Sequence, residues 1–191
     1  MTSRGAPATR RVFFALWPDE AQRLALEHAT AKAVRRCGGR PVPAANLHVT
    51  LAFLGSVAVE RIPELQRLAR LQADASPAGT AIELSFERLV HWKDGQILCA
   101  LSATESVATR MLATALQQAT AAAGFSPDRR PFQAHVTLAR KVVHAGRLPR
   151  LRAVVWRFAA YSLVDSRTES SGAVYSVIES YPLVAAEKAH D

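Results

Sequence analysis

Hydrophobic and polar positions along the chain change period several times, and each change marks an element. Arg11 to Trp17 reads Arg-Val-Phe-Phe-Ala-Leu-Trp, a short aromatic run of strand type. Pro18, Asp19 and Glu20 then open a helix with acids at its positive end, and the pattern predicts that it runs to about Arg36. Arg35 and Arg36 fill its last turn, and Gly38 and Gly39 follow as terminators. Asn46 to Leu54 alternates, with His48, Thr50 and Ala52 on one face of a strand, Val49, Leu51 and Phe53 on the other, and Gly55 as its stop. A second helix is predicted from Arg61 or Pro63 to Gln72. The strands Ala81–His91 and Gln96–Leu101 follow, joined as a hairpin by Lys93-Asp94-Gly95. Val107, Ala108, Met111, Leu112, Ala115, Leu116 and Ala119 recur at helical spacing, and Gly124 stands where the C-terminal cap belongs. Phe132 to Val143 repeats the earlier alternation, with His135, Thr137 and Ala139 facing one way and Val136, Leu138 and Arg140 the other; Val154–Val164 and Ala173–Tyr181 close the chain as strands.

This order is an α+β plan built twice over. No linker or low-complexity segment divides the halves, so residues 1–191 are expected to form a single two-lobed domain, with residues 1–10 as a flexible tail. The expected architecture is bilobal: two antiparallel sheets related by pseudo-twofold duplication, helices on the outer faces and a cleft between. Polar residues on strands of such a plan have a face to point at.

The evidence for duplication is the pentapeptide His-Val-Thr-Leu-Ala, which occurs at His48–Ala52 and again, nearly half the chain later, at His135–Ala139. A core strand needs apolar residues on its inner face, whereas what recurs here is a polar pair at i and i+2. Residues two apart on a strand stand about 6.7 Å apart on one face, so an imidazole and a hydroxyl can grip one phosphate together. Two such strands side by side are expected to place histidine opposite histidine. Hydrolysis of a cyclic phosphodiester needs a base to take a proton from water and an acid to protonate the departing oxygen, and an unperturbed pKa near 6.5 suits histidine to either task. Thr50 and Thr137 are then the donors to the non-bridging oxygens.

Composition narrows the partner. The 191 residues carry a formal net charge of +8 and 49% hydrophobic residues, enough apolar content for a sizeable core and a field that attracts anions. Between Asp128 and Arg157 lie eight basic residues (Arg129, Arg130, Arg140, Lys141, Arg147, Arg150, Arg152, Arg157) against Asp128 alone. The positive field therefore surrounds the second histidine copy. Apolar runs such as Val12–Trp17 are far too short to span a bilayer, and Met1–Arg11 has no apolar segment of the secretory kind. Cys37 and Cys99 are far apart and read as reduced thiols of a cytoplasmic protein. His28, His91, His144 and His190 have no partner at useful spacing.

With their flanks, the copies read Asn46-Leu-His-Val-Thr-Leu-Ala-Phe-Leu-Gly55 and Pro131-Phe-Gln-Ala-His-Val-Thr-Leu-Ala-Arg140. They resemble the paired His-x-Thr signatures of the two-histidine phosphoesterases, and most closely those of the LigT-like RNA 2′,3′-cyclic phosphodiesterases, with a likeness from Arg11 to Leu183. That resemblance implies hydrolysis of a 2′,3′-cyclic phosphate to a 2′-phosphate, with His48 matching the proton donor and His135 the proton acceptor. It further implies an RNA or oligonucleotide partner with a cyclic phosphate terminus, no cofactor, no metal and no membrane; a monomer is expected. Ala134 departs from the proline common before the second histidine, which implies a changed strand entry. Arg140 matches a position near the substrate phosphate, although plain alternation turns it away from His135; a bulge or strand end would reconcile the two. Phe53 and Phe132 are candidates for stacking on a base, but each is more often core.

Three rival readings share these residues. One is a related enzyme acting on a small cyclic nucleotide phosphate or running in reverse as a 2′-5′ RNA ligase. Another is a non-catalytic nucleotide- or RNA-binding module, against which two intact proton-transfer groups argue. Metal binding by His48 and His135 lacks a further ligand on either strand face.

Overall fold

A computed structural model describes residues 8–75, 81–103, 106–128, 130–169 and 172–183. Arg129, His190 and the first seven residues of the expected tail lie outside the described residues. Among the described residues, nine strands and three α-helices follow in the order β1 (Thr9–Leu16), α1 (Glu20–Arg36), β2 (Arg40–Pro41), β3 (Val49–Ala58), α2 (Ile62–Asp74), β4 (Ile82–Trp92), β5 (Ile97–Ser102), α3 (Val107–Ala122), β6 (His135–Arg140), β7 (Val154–Phe158), β8 (Ala160–Glu169) and β9 (Gly172–Pro182). Thr9 and Arg10, expected in the tail, are the first residues of β1, paired with Ala58 and Val57.

The helices form where the caps allow. Asp19 accepts a hydrogen bond from the Gln22 amide at 2.7 Å and so caps α1, and Ser106 does the same for α3 through the Thr109 amide. Gly38 and Gly124, at φ +65° and +79°, supply the left-handed residue after α1 and α3. All three helices cover one face of the sheet: Leu26 of α1, Leu65 of α2 and Leu112 and Leu116 of α3 pack with Val12, Phe14 and Leu16 in one continuous core. The other face of β1 carries Phe13 and Ala15, clustered with Val164, Trp17, Phe53 and Tyr175. A strand apolar on both faces is thus divided between the core and an aromatic wall.

The sheet is a curled, antiparallel one in the order β7-β4-β5-β6-β3-β1-β8-β9, with β2 added to β6. The two halves expected as separate sheets, β9-β8-β1-β3 and β6-β5-β4-β7, are joined through one residue pair, Val49 with Val136. Beyond that contact β3 does not follow β6. Residues 43–48 leave the ladder through a 3₁₀ turn at Ala44–Asn46, and the chain upstream of them pairs Pro41 with Ala139 and Arg40 with Arg140. The strand predicted over Val154–Val164 is two strands broken at Ala159: β7 borders β4 in one half and β8 borders β1 in the other. The chain changes halves at that break, which period alone could not reveal.

Candidate active site

β3 and β6 carry the two pentapeptides to the joint between the halves. Because Val49 pairs antiparallel with Val136, the copies run in opposite directions, and continuing that register by one residue would set His48 level with Thr137 and Thr50 level with His135. Histidine opposite histidine is therefore not the register of these two strands, although the imidazoles are near enough for the charge of His135 to bear on His48.

Both strands also break their alternation at the same place. On β3, Ala15 pairs with Thr50 and Phe14 with Ala52, leaving Leu51 as an extra residue. On β6, Cys99 pairs with Thr137 and Leu98 with Ala139, leaving Leu138 extra. A bulge of this kind inverts the facing of everything after it. Leu51 and Ala52, like Leu138 and Ala139, are therefore both buried in the core, and Ala52 and Ala139 do not share the histidine face as simple alternation had them. Phe53 and Arg140, the residues after the pentapeptides, turn to the cleft instead. This resolves the conflict over Arg140. Gly55, read as the stop of β3, sits at φ +70° beside a second bulge, where Val12 pairs with Gly55 and Phe13 with Phe53, and the strand continues to Ala58.

The cleft has a volume of about 560 Å³ and is lined by Thr50, Phe53, His135, Thr137 and Arg140 together with Arg11, Trp92, Asp94, Arg130 and Phe132, among others. His48 does not line it but is joined to it through Thr50, whose hydroxyl lies 3.1 Å from the His48 Nε2. All five residues singled out from sequence, His48, Thr50, His135, Thr137 and Arg140, are thus gathered at one place. Phe53 and Phe132 are half-buried, each lining the cleft while packing against a core cluster, and Arg11 lies over the Phe53 ring at 4.8 Å. Lys141 and Arg147, Arg150 and Arg152 of the basic run are exposed, whereas Arg130 pairs with Asp128 and Arg157 with Glu83.

The two histidines are wired alike. His48 Nδ1 lies 2.7 Å from the Asn46 carbonyl and His135 Nδ1 lies 2.7 Å from the Gln133 carbonyl. A carbonyl only accepts, so Nδ1 carries the proton in both rings and, in the neutral ring, Nε2 is bare. His48 Nε2 then accepts from the Thr50 hydroxyl at 3.1 Å. Thr137 instead hydrogen-bonds the buried Cys99 thiol, whose pKa burial pushes up to about 12.

Their surroundings differ. His48 is stacked between Phe13 and Trp17, at centroid distances of 4.9 and 5.4 Å, with Tyr175 edge-on at 5.3 Å. Among the described residues His135 has one ring neighbour, Trp92, edge-on at 4.6 Å. Burial lowers the His48 pKa from 6.5 to about 4, assisted by the charges of His135 and Arg140 against the opposing pull of the Asn46 carbonyl. His135 is lowered as well, first by burial and then by Arg130 and Arg140. Both are neutral at pH 7, with an unprotonated Nε2 ready to accept.

Phe13, Trp17, Trp92 and Tyr175 went unremarked in the sequence. The signal for Phe13 and Trp17 was present: β1 alternates apolar residues on both faces, so both faces had to meet something. Tyr175 offered none, because only folding brings β9 beside β1 through β8. His91 has a partner after all, the Val142 carbonyl at 2.8 Å, in keeping with a structural role. Among the described residues no three His, Cys, Asp or Glu side chains gather as a metal site, and no helix is long and apolar enough to cross a membrane.

Residues 16–96 match the family model described as LigT like Phosphoesterase. An RNA 2′,3′-cyclic phosphodiesterase of Thermus thermophilus is 32% identical over 181 residues, covering 91% of this chain and 90% of the relative. An RNA 2′,3′-cyclic phosphodiesterase of Escherichia coli is 32% identical over 141 residues, 73% of this chain and 77% of the relative. Among solved structures, E. coli LigT complexed with 3′-AMP superimposes with a TM-score of 0.83 at 26% identity, covering 92% of this chain and 99% of that one.

Proposed function

Since the chain belongs to the LigT-like phosphoesterase family, we propose that it hydrolyses RNA 2′,3′-cyclic phosphate ends to 2′-phosphomonoesters by acid-base catalysis between two histidines. The observation that carries this reading is the repeated wiring: two imidazoles at one cleft, each fixed through Nδ1 on a main-chain carbonyl so that Nε2 is left for proton transfer.

In the proposed reaction His135 Nε2 accepts a proton from water as the water oxygen bonds to phosphorus. The phosphorus–O3′ bond breaks, and a protonated His48 Nε2 delivers its proton to O3′. Thr50, Thr137 and Arg140 donate to the non-bridging oxygens. His48 must gain a proton before it can act. An anionic phosphate arriving beside it favours the imidazolium, and the stacked faces of Phe13 and Trp17 favour that cation further. The same reading has the protein act as a single-domain monomer in the cytoplasm, where Cys37 and Cys99, both buried and unpaired, stay reduced.

The test is product analysis. An oligonucleotide ending in 2′,3′-cyclic phosphate, incubated with the protein in EDTA, is expected to yield a 2′-phosphate. A 3′-phosphate product, or turnover only after metal is added, overturns the mechanism.

A further inference from the structure

Four residues on successive strands are register partners: Arg40 with Arg140, Arg140 with Ile97, and Ile97 with Trp92. Partners in antiparallel strands carry their side chains on the same face. The row therefore crosses the sheet on the cleft side, and Arg140, Ile97 and Trp92 are indeed among the cleft residues. Arg40 extends that row one strand beyond them, past the edge of the cleft.

Two arginines directly opposite each other repel. Five arginines elsewhere in the molecule are ion-paired: Arg61 with Glu64, Arg70 with Glu179, Arg130 with Asp128, Arg157 with Glu83 and Arg167 with Asp165. Arg40 and Arg140 have neither an ion pair nor a side-chain hydrogen bond among the described residues, and Arg40 is exposed. The cleft acids do not serve them, since Asp94 follows Trp92 at the far end of the row and Asp128 is held by Arg130.

The backbone is shaped to bring the two together. A Cβ on Gly39 would stand 2.7 Å from the Arg140 carbonyl oxygen and 2.4 Å from a Val142 methyl, so only glycine lets β2 lie this close. Lys141 turns the chain away at φ +58°, a strained value for a side-chain-bearing residue. An unneutralised pair of guanidinium groups held in this way is a seat for an anion.

We propose that Arg40, beside Arg140, forms a second phosphate subsite that takes the internucleotide phosphate next to the terminal nucleotide. The proposal rests on the reading of the cleft given above and deepens it. Strands about 4.8 Å apart carry long side chains that reach neighbouring phosphates of one chain, so the preferred substrate is an oligonucleotide of two or more residues and not a cyclic mononucleotide.

The experiment compares kcat/KM for a nucleoside 2′,3′-cyclic phosphate with that for a dinucleotide bearing the same cyclic terminus, in wild type, Arg40→Gln and Arg40→Lys, with Arg147→Gln as an exposed control. Wild type is expected to prefer the dinucleotide. Arg40→Gln is expected to cut that preference about tenfold, as loss of one charge-assisted contact should, and to lower the salt dependence of dinucleotide turnover by about one phosphate contact. Arg40→Lys keeps most of the preference and Arg147→Gln all of it. An equal loss on both substrates, or an unchanged preference in Arg40→Gln, overturns the subsite while leaving the proposed function in place. Wild type inactive on both substrates overturns the proposed function itself, and the subsite with it.

Discussion

The thiol of Cys99 lies buried beneath Thr137, its register partner on the neighbouring strand, and hydrogen-bonds the threonine hydroxyl. In the first copy the corresponding partner of Thr50 is Ala15, which has no polar atom on its side chain, and there the threonine turns to its own histidine. On the proposed reaction this makes Cys99 a positioning residue that acts through Thr137. Cys99→Ala is expected to lower kcat/KM about fivefold, the worth of about 1 kcal/mol for one such hydrogen bond. Cys99→Ser, which keeps the contact, stays within about twofold, and equal losses in the two variants would reduce the role of Cys99 to packing.

Acidification weakens the fold through His48. Its pKa is about 4 in the folded protein against an ordinary value of 6.5, so between those values the unfolded chain binds the extra proton. The contribution is complete above pH 6.5 and is lost as pH falls toward 4, up to about 3 kcal/mol, with His135 acting in the same direction. Denaturant unfolding at pH 7 and at pH 4.5 measures the loss, and His48→Gln is expected to flatten the difference.

The pH dependence of turnover follows from the same shifts. Since kcat/KM reports the groups of the free protein, and both histidines there titrate below 6.5, its bell-shaped profile is expected to centre on the acid side of pH 6.5. The kcat profile, which reports the complex, is centred higher, because the bound phosphate favours the imidazolium. His48→Ala and His135→Ala each lose at least about a hundredfold. Full activity in either variant contradicts paired acid-base catalysis.

Arg140 depresses the pKa values of both imidazoles, and in the proposed reaction it also contacts the substrate. Arg140→Gln is expected to lower kcat/KM by roughly ten- to a hundredfold, as loss of a charge-assisted contact worth about 1.5–3 kcal/mol implies, and to move the kcat/KM optimum to higher pH. A loss of rate with no movement of the optimum would mean that the charge of Arg140 does not reach the histidines.

The candidate constellation was legible because it is local. His48 and Thr50, and likewise His135 and Thr137, are two residues apart on one strand before the bulge, so alternation predicts their common face correctly. It fails from the next residue onward, where the ladder gains Leu51 and Leu138, and period alone cannot register an unpaired residue. The helix ends were equally readable, since Asp19, Gly38 and Gly124 act within their own turns. What escaped was set by long-range topology. Tyr175 reaches His48 from β9, Arg40 meets Arg140 from across most of the chain, and the break at Ala159 separates two strands that read as one.

The recurrent bulge gives the protein an offset slot in each half. Five identical residues hold the histidine and threonine in place, and the sixth is delivered to the same cleft without disturbing them. One half fills its slot with the flat apolar ring of Phe53, the other with the cation Arg140. Neither slot holds a histidine, yet the occupant of the second slot sets the charge that both histidines feel, whereas that of the first is open to change. Exchanging the occupants, as in Phe53→Arg with Arg140→Phe, would carry the cation to the other slot, and with it the charge that depresses both imidazoles.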